Sequence, residues 1–136
     1  MIIPHTELYI QYYENKFRLA FPHLGEPSEQ SLRSINLPHV DLVKKFIEGN
    51  WRKEFDSHPY YIMHSKWGRK RDWIINRAKK FCSLYSDIKK NGLKTSIIVK
   101  NKNKKTHFYD GWEILDGHHR VSVCINLGID IKCQVR

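Results

Sequence analysis

The sequence predicts a mixed α/β domain of the α+β kind, a small mixed sheet with helices packed on it. Three observations predict it. From Asp72 onward, Ile74, Ala78, Phe81, Tyr85 and Ile88 recur at steps of four and three, which is one apolar face of a long helix. "TSIIVK" and "HFYDGWEIL" are apolar, β-prone segments separated by the polar turn "NKNKK", which reads as a hairpin. The last stretch, "EILDGHHRVSVCINLGIDIKCQV", reads as strand, helix, glycine stop and strand. With 136 residues, the chain suits one domain around one core.

The elements follow in order. Residues 6–20, "TELYIQYYENKFRLA", are predicted as a helix: Leu8, Tyr12 and Leu19 fall near helical spacing, Tyr9, Tyr13 and Phe17 flank them, and Thr6 can cap the start. "FPHLGEPSEQ" breaks it with two prolines and a glycine. Residues 1–30 are therefore expected to be a helical extension outside the main core, and residues 31–136 the domain itself. A short strand near Ile35 and Leu37 leads through a turn at Pro38 to a short helix ending at Gly49. Residues 50–71 are read as an irregular, basic, aromatic insert. Asp72 suits the N-cap of the long helix and Asn91-Gly92 its stop. In the final strand Ile129, Ile131, Cys133 and Val135 alternate with polar residues, the pattern of a half-buried strand.

Composition narrows the class of function. No apolar run is long enough to span a membrane. "MIIPHTELYIQ" lacks the basic and apolar regions of a secretory signal. The three cysteines (Cys82, Cys124 and Cys133) are too few and too scattered for a disulfide framework or a zinc site, and suit free thiols in a reducing cytoplasm. The formal net charge is +10. Residues 35–110 hold eighteen Lys and Arg against seven Asp and Glu, so the whole excess lies there. Such a stretch fits an anionic partner (nucleic acid, nucleotide or acidic surface), and equally a solvated lysine-rich face.

Asp116-Gly117-His118-His119-Arg120 carries the most chemistry. It falls where a strand ends and a helix begins. A helix start leaves backbone N–H groups unpaired and carries partial positive charge. Glycine lets a ligand approach the backbone, and His118, His119 and Arg120 add side-chain donors in the same turn. Together they make a candidate cradle for phosphate or carboxylate. The plainer reading is that Asp116 caps the helix and the rest is solvated. A metal shared by the two adjacent histidines is awkward, because they point about 100° apart on a helix.

The run "SDIKKNGLKTSIIVKNKNKKTHFYDGWEILDGHHRVSVCINLGIDIKCQV" resembles the ParB/sulfiredoxin superfamily. The resemblance covers residues 80–135 and extends more loosely over 35–79, where residues 35–45 match the family's first strand and short helix. Sulfiredoxins place a cysteine directly before the His-Arg pair. Here that position is His118, and Cys124 lies too far down the helix to substitute, which disfavours sulfiredoxin activity. Partition-type members carry a Gly-Glu-Arg-Arg-like motif, bind CTP and add a helix-turn-helix. Gly117 and Arg120 match, but His118 and His119 replace the Glu-Arg pair, and sixteen residues after Arg120 leave no room for that reader. The motif is most similar to the Asp-Gly-His-Thr-Arg of the free serine kinases, departing only at His119. Other members are nucleases or DNA-modification accessories.

The resemblance implies a nucleoside phosphate, ATP or ADP with Mg²⁺, as ligand, and phosphoryl transfer to an acceptor as the reaction. Gly117 and the helix N–H groups would hold a terminal phosphate, and His118, His119 and Arg120 would neutralise its oxygens. Asp116 would bind the Mg²⁺ or accept a proton from the acceptor. Asp41 is a weaker candidate for a second acid. The alternatives are a nucleic-acid-binding accessory protein or ParB-like nuclease, and a regulator that binds nucleotide without turnover. The second class rests on "HSKWGRKRDW", where Lys66, Arg69, Lys70 and Arg71 lie between Trp67 and Trp73. Cations for phosphates and indoles for bases suit single-stranded nucleic acid. The same run could be a solvated loop, or a lid over the nucleotide site.

Overall fold

Ile97 and Val99 alternate with more exposed neighbours, so their strand buries one face, and Ile114 faces Val99 across the hairpin on a strand that encloses both Glu113 and Ile114. A computed structural model describes residues 1–11 and 21–136. In it β1 (Leu8–Tyr9), β2 (Ile97–Lys102), β3 (Gly111–Asp116) and β4 (Cys133–Val135) form a sheet of order β1-β3-β2-β4. β2 and β3 pair antiparallel, with a register shift between Ile98 and Val99 that sets Ile98 opposite Asp116. β1 runs parallel to β3, and β4 runs parallel to β2. The sheet is therefore mixed, as predicted.

Four helices are described: α1 (Pro38–Glu48), α2 (Pro59–Lys66), α3 (Arg71–Asn91) and α4 (His118–Leu127). α3 buries Ile74, Ala78, Phe81, Tyr85 and Ile88, the predicted stripe. α4 buries Val121, Val123 and Cys124 and ends on Gly128 in the left-handed conformation. α1 starts with Pro38 at its first position, where the missing N–H costs nothing, and buries Val40, Leu42, Val43 and Phe46. These faces and the sheet share one core, with Leu8, Leu32, Leu42, Ile74, Ile97 and Ile114 fully enclosed. Among the described residues no helix is long and apolar enough to cross a membrane.

Several expectations change. Residues 5–10 are not helical: His5–Glu7 is a 3-10 turn and Leu8–Tyr9 a strand, while the rest of the predicted helix, 12–20, lies outside the described residues. Leu8, Tyr9 and Ile10 are buried in succession, which a one-sided helix cannot achieve. The Ile10 N–H donates to Leu32 O at 2.7 Å, and the Tyr9 ring stacks on Tyr109 with centroids 3.9 Å apart. The first ten residues are consequently no appendage. Ile3 N–H donates to Ile131 O, and Cys133 N–H to Met1 O, so the segment covers the β4 edge before β1 joins the opposite side. Gly111 accommodates this path, because a Cβ there would meet the Tyr9 ring at 2.7 Å.

The expected strand at Ile35–Leu37 is a 3-10 turn, Ser34–Asn36, held by the Ser34 hydroxyl on His5 O at 2.9 Å. The insert 50–71 is not irregular throughout. It contains the 3-10 turn Phe55–Ser57 and α2, whose apolar residues do not segregate to one face and so carry no helical signature. α3 is preceded by Lys70 rather than capped by Asp72, which lies inside its first turn. The last strand narrows to Cys133–Val135, with Ile131 and Cys133 buried but Ile129 and Val135 exposed.

Candidate functional site

β3 ends at Asp116, and the chain turns on Gly117 at φ 111° into α4. A side chain could not replace that glycine: a Cβ would come within 2.7 Å of Ile97 Cδ1 and 3.1 Å of Arg120 Nη2. The sequence reading reserves the space for a ligand, but the chain's own packing fills it. Asp116 does not cap the helix, since no side chain bonds its first amides. The Asp116 carboxylate turns outward, 75% exposed, toward Arg120 Nη2 at 3.4 Å.

Arg120 is mostly committed to the fold. Its Nη1 donates to Thr95 O and Ser96 O, both at 2.9 Å, tying α4 to the segment before β2. The two histidines turn toward a cavity of about 510 Å³ that has Asp116, Gly117 and Arg120 on its wall. His118 and His119 keep surface open to that cavity but are otherwise enclosed by protein. Burial lowers the His118 ring to about 4 and the His119 ring to about 3, the latter helped by the Arg77 charge. They are neutral at physiological pH, so they offer hydrogen bonds rather than the positive charge the sequence reading assigns them. His118 Nε2 accepts from Gln11 N–H at 3.5 Å, and His119 Nε2 lies 3.0 Å from the Tyr60 hydroxyl.

The fold brings two more histidines to the same cavity. His39, in the first turn of α1, is 5% exposed, and its ring centroid lies 4.5 Å from that of His119. His64, at the end of α2, is 7% exposed and lies edge-on to Tyr60. His39 Nδ1 and His64 Nε2 are enclosed without hydrogen-bond partners. Burial, with neighbouring positive charge, holds His39 well below the ordinary imidazole range and takes His64 to about 4. Arg77 and Lys80, one helical step apart on α3, also line the cavity, and neither forms an ion pair or hydrogen bond among the described residues. Sequence reasoning missed His39, Tyr60, His64, Arg77 and Lys80. A signal existed for the last two: Trp73, Arg77, Lys80 and Leu84 follow steps of four, three and four beside the apolar stripe.

The remaining predicted residues disperse. Asp41 lies elsewhere, its carboxylate 2.7 Å from His58 Nε2 while His58 Nδ1 accepts from Tyr60 N–H and caps α2. Trp67 reaches the cavity and meets His64 edge-on. Arg69 lies over the Trp73 ring at 4.4 Å, and Arg71 pairs with Asp56. Lys66 ends α2 and Lys70 precedes α3, both exposed. Two of the four cations are thus engaged within the fold, while all four, and both indoles, keep surface open to solvent. Among the described residues no group of three or more His, Cys, Asp or Glu could hold a metal ion. Asp116 is the one carboxylate on the cavity wall among the described residues, too few for a Mg²⁺ held by these side chains alone.

What these parts form is a cavity of mixed character. Phe21, Leu37, Met63 and Phe81 give it apolar walls, the open N-terminus of α4 and two cations without a counter-ion among the described residues give it a positive field, and neutral imidazoles line the space between. Comparison of the chain with protein-family models, with curated proteins and with solved structures found no match.

Proposed function

We propose that the protein binds a nucleoside phosphate, ATP or ADP accompanied by Mg²⁺, in this cavity and transfers a phosphoryl group from it. One observation carries the reading: the uncapped N-terminus of α4 opens onto a 510 Å³ space beside Arg77 and Lys80, which have no counter-ion among the described residues. A helix start and two cations converging on one space suit a multiply charged anion. Apolar and aromatic walls suit a base. The DGHHR likeness to the nucleotide-using members of the ParB/sulfiredoxin superfamily supports the same ligand.

In this reading the amides of His118, His119 and Arg120 and the side chains of Arg77 and Lys80 hold the phosphates. His118 and His119 supply neutral hydrogen bonds. Asp116 is the only carboxylate on the cavity wall among the described residues, so it takes the Mg²⁺ or the acceptor's proton. When bound, Mg²⁺ neutralises charge that develops on the phosphoryl oxygens. The test is an NMR titration with ATP, ADP and inorganic phosphate, with and without Mg²⁺. Shifts at the amides of residues 117–120 and along α3 near Arg77 are expected. Their absence with every ligand would overturn the reading.

A further inference from the structure

We infer that Tyr60 is a positioning residue: its hydroxyl fixes His119 in the tautomer protonated at Nδ1, so that His119 meets a ligand as a neutral hydrogen-bond donor and not as a base. The inference deepens the proposed function and rests on it for the identity of the ligand.

The geometry leaves one arrangement. Tyr60 is fully enclosed, and its hydroxyl has a single hydrogen-bond partner among the described residues, His119 Nε2 at 3.0 Å. A buried phenol must place its proton somewhere. If Nε2 carried the hydrogen and donated to Tyr60, the phenol proton would have no acceptor. If Tyr60 donates, its proton is satisfied and Nε2 must be the bare nitrogen. Burial raises the Tyr60 phenol above its ordinary range, so the proton stays with the tyrosine, while the lowered His119 ring does not take a second one. The neutral ring's only hydrogen is then on Nδ1.

The ring is also fixed in direction. It stands perpendicular to His39 and to Phe81, each with centroids 4.5 Å away. Nδ1 has no hydrogen-bond partner among the described residues, yet unlike His39 Nδ1 it is not sealed off. It belongs to a ring on the cavity wall, so its hydrogen is left for whatever occupies the cavity. The matching group is an acceptor without a hydrogen of its own, such as an ionised phosphoryl or carboxylate oxygen. A ligand hydroxyl or amine seeking an acceptor finds none at this atom. His119 is therefore a specificity residue for oxyanions, and the proton-accepting role in any transfer passes to Asp116.

The experiment reads the tautomer on the free protein by two-bond ¹H–¹⁵N correlation spectroscopy of the histidine rings at neutral pH. Nδ1 protonated and Nε2 bare is expected for His119. In Tyr60→Phe, which keeps the ring packing, the Nε2 signal should shift as the tautomers mix, and affinity for ATP and for inorganic pyrophosphate should fall about tenfold. Protonated Nε2 in the parent protein would overturn the inference even if nucleotides bind. Unchanged affinity in Tyr60→Phe would overturn the positioning role. Failure of the parent protein to bind either ligand would remove the nucleotide reading and the ligand half of this one. The two failures remain distinct because the tautomer is measured with no ligand present.

Discussion

Arg120 Nη2 lies 3.4 Å from the Asp116 carboxylate, so the two charges of the DGHHR segment face each other across the turn at Gly117. Of the two, Asp116 is largely exposed while Arg120 is enclosed and holds two further carbonyls. The acid is open to solvent, and the arginine joins α4 to the segment before β2.

Arg120→Ala should therefore destabilise the protein. It removes two charge-assisted hydrogen bonds to carbonyls that water can partly reach, with an expected loss of about 1.5–3 kcal/mol. Urea denaturation measures it. An unchanged midpoint would mean that the arginine serves a ligand alone.

Gly117→Ala should cost at least about 2 kcal/mol, since it combines a left-handed backbone with a Cβ that collides with Ile97 Cδ1. Ile97→Val removes that methyl. The double variant should then be less destabilised than the sum of the single ones, and a double-mutant cycle in urea tests the coupling. Strict additivity would show that the collision is relieved elsewhere.

Stability should fall in mild acid. His64 and His118 titrate near 4 and His119 near 3 in the folded protein, against an ordinary 6.5. Between those values the unfolded chain binds more protons than the folded one. The stabilisation is thus complete above about pH 6.5 and is lost as pH falls toward 4, by roughly 1.4 kcal/mol per pH unit for each such histidine. Urea midpoints should be flat above neutrality and drop steeply below about pH 6. Midpoints that stay constant from pH 7 to 5 would contradict enclosed, neutral rings.

Arg77→Gln and Lys80→Gln should each weaken ATP binding about tenfold, or 1.4 kcal/mol, and flatten its salt dependence. Both positions are exposed, so stability should change by less than about 0.5 kcal/mol. Removing the Arg77 charge should also let the His64 and His119 rings protonate more readily, because that charge opposes their protonation. Isothermal titration calorimetry and histidine NMR report the two effects separately.

Asp116→Asn separates a phosphotransferase from a passive binder. An enzyme that uses this carboxylate should lose turnover by several orders of magnitude and bind nucleotide with less dependence on Mg²⁺. A binder should keep its affinity or gain some, because a negative charge beside the phosphates is gone. Tighter, metal-independent binding by the variant, with no turnover by the parent, would rule out phosphoryl transfer.

The elements legible in the sequence were those whose partners lie close along the chain. The α3 stripe from Ile74 to Ile88, the hairpin of β2 and β3, and the run from β3 through Gly117 and α4 to Gly128 each carry a period or a stop signal within a few residues. A two-residue strand such as Leu8–Tyr9 has no period to detect, and its aromatic neighbours suggested a helix until pairing with Trp112 and Glu113 decided otherwise. The DGHHR segment lines the cavity, but the sequence does not reveal the state of its side chains. Only the tertiary structure put His39, Tyr60, His64 and Arg77 around His119, with Tyr60 and His119 bonded across 59 positions. That enclosure turned two expected cations into neutral rings, because the charge of an imidazole depends on the water and charges around it, and those are set by residues distant in sequence.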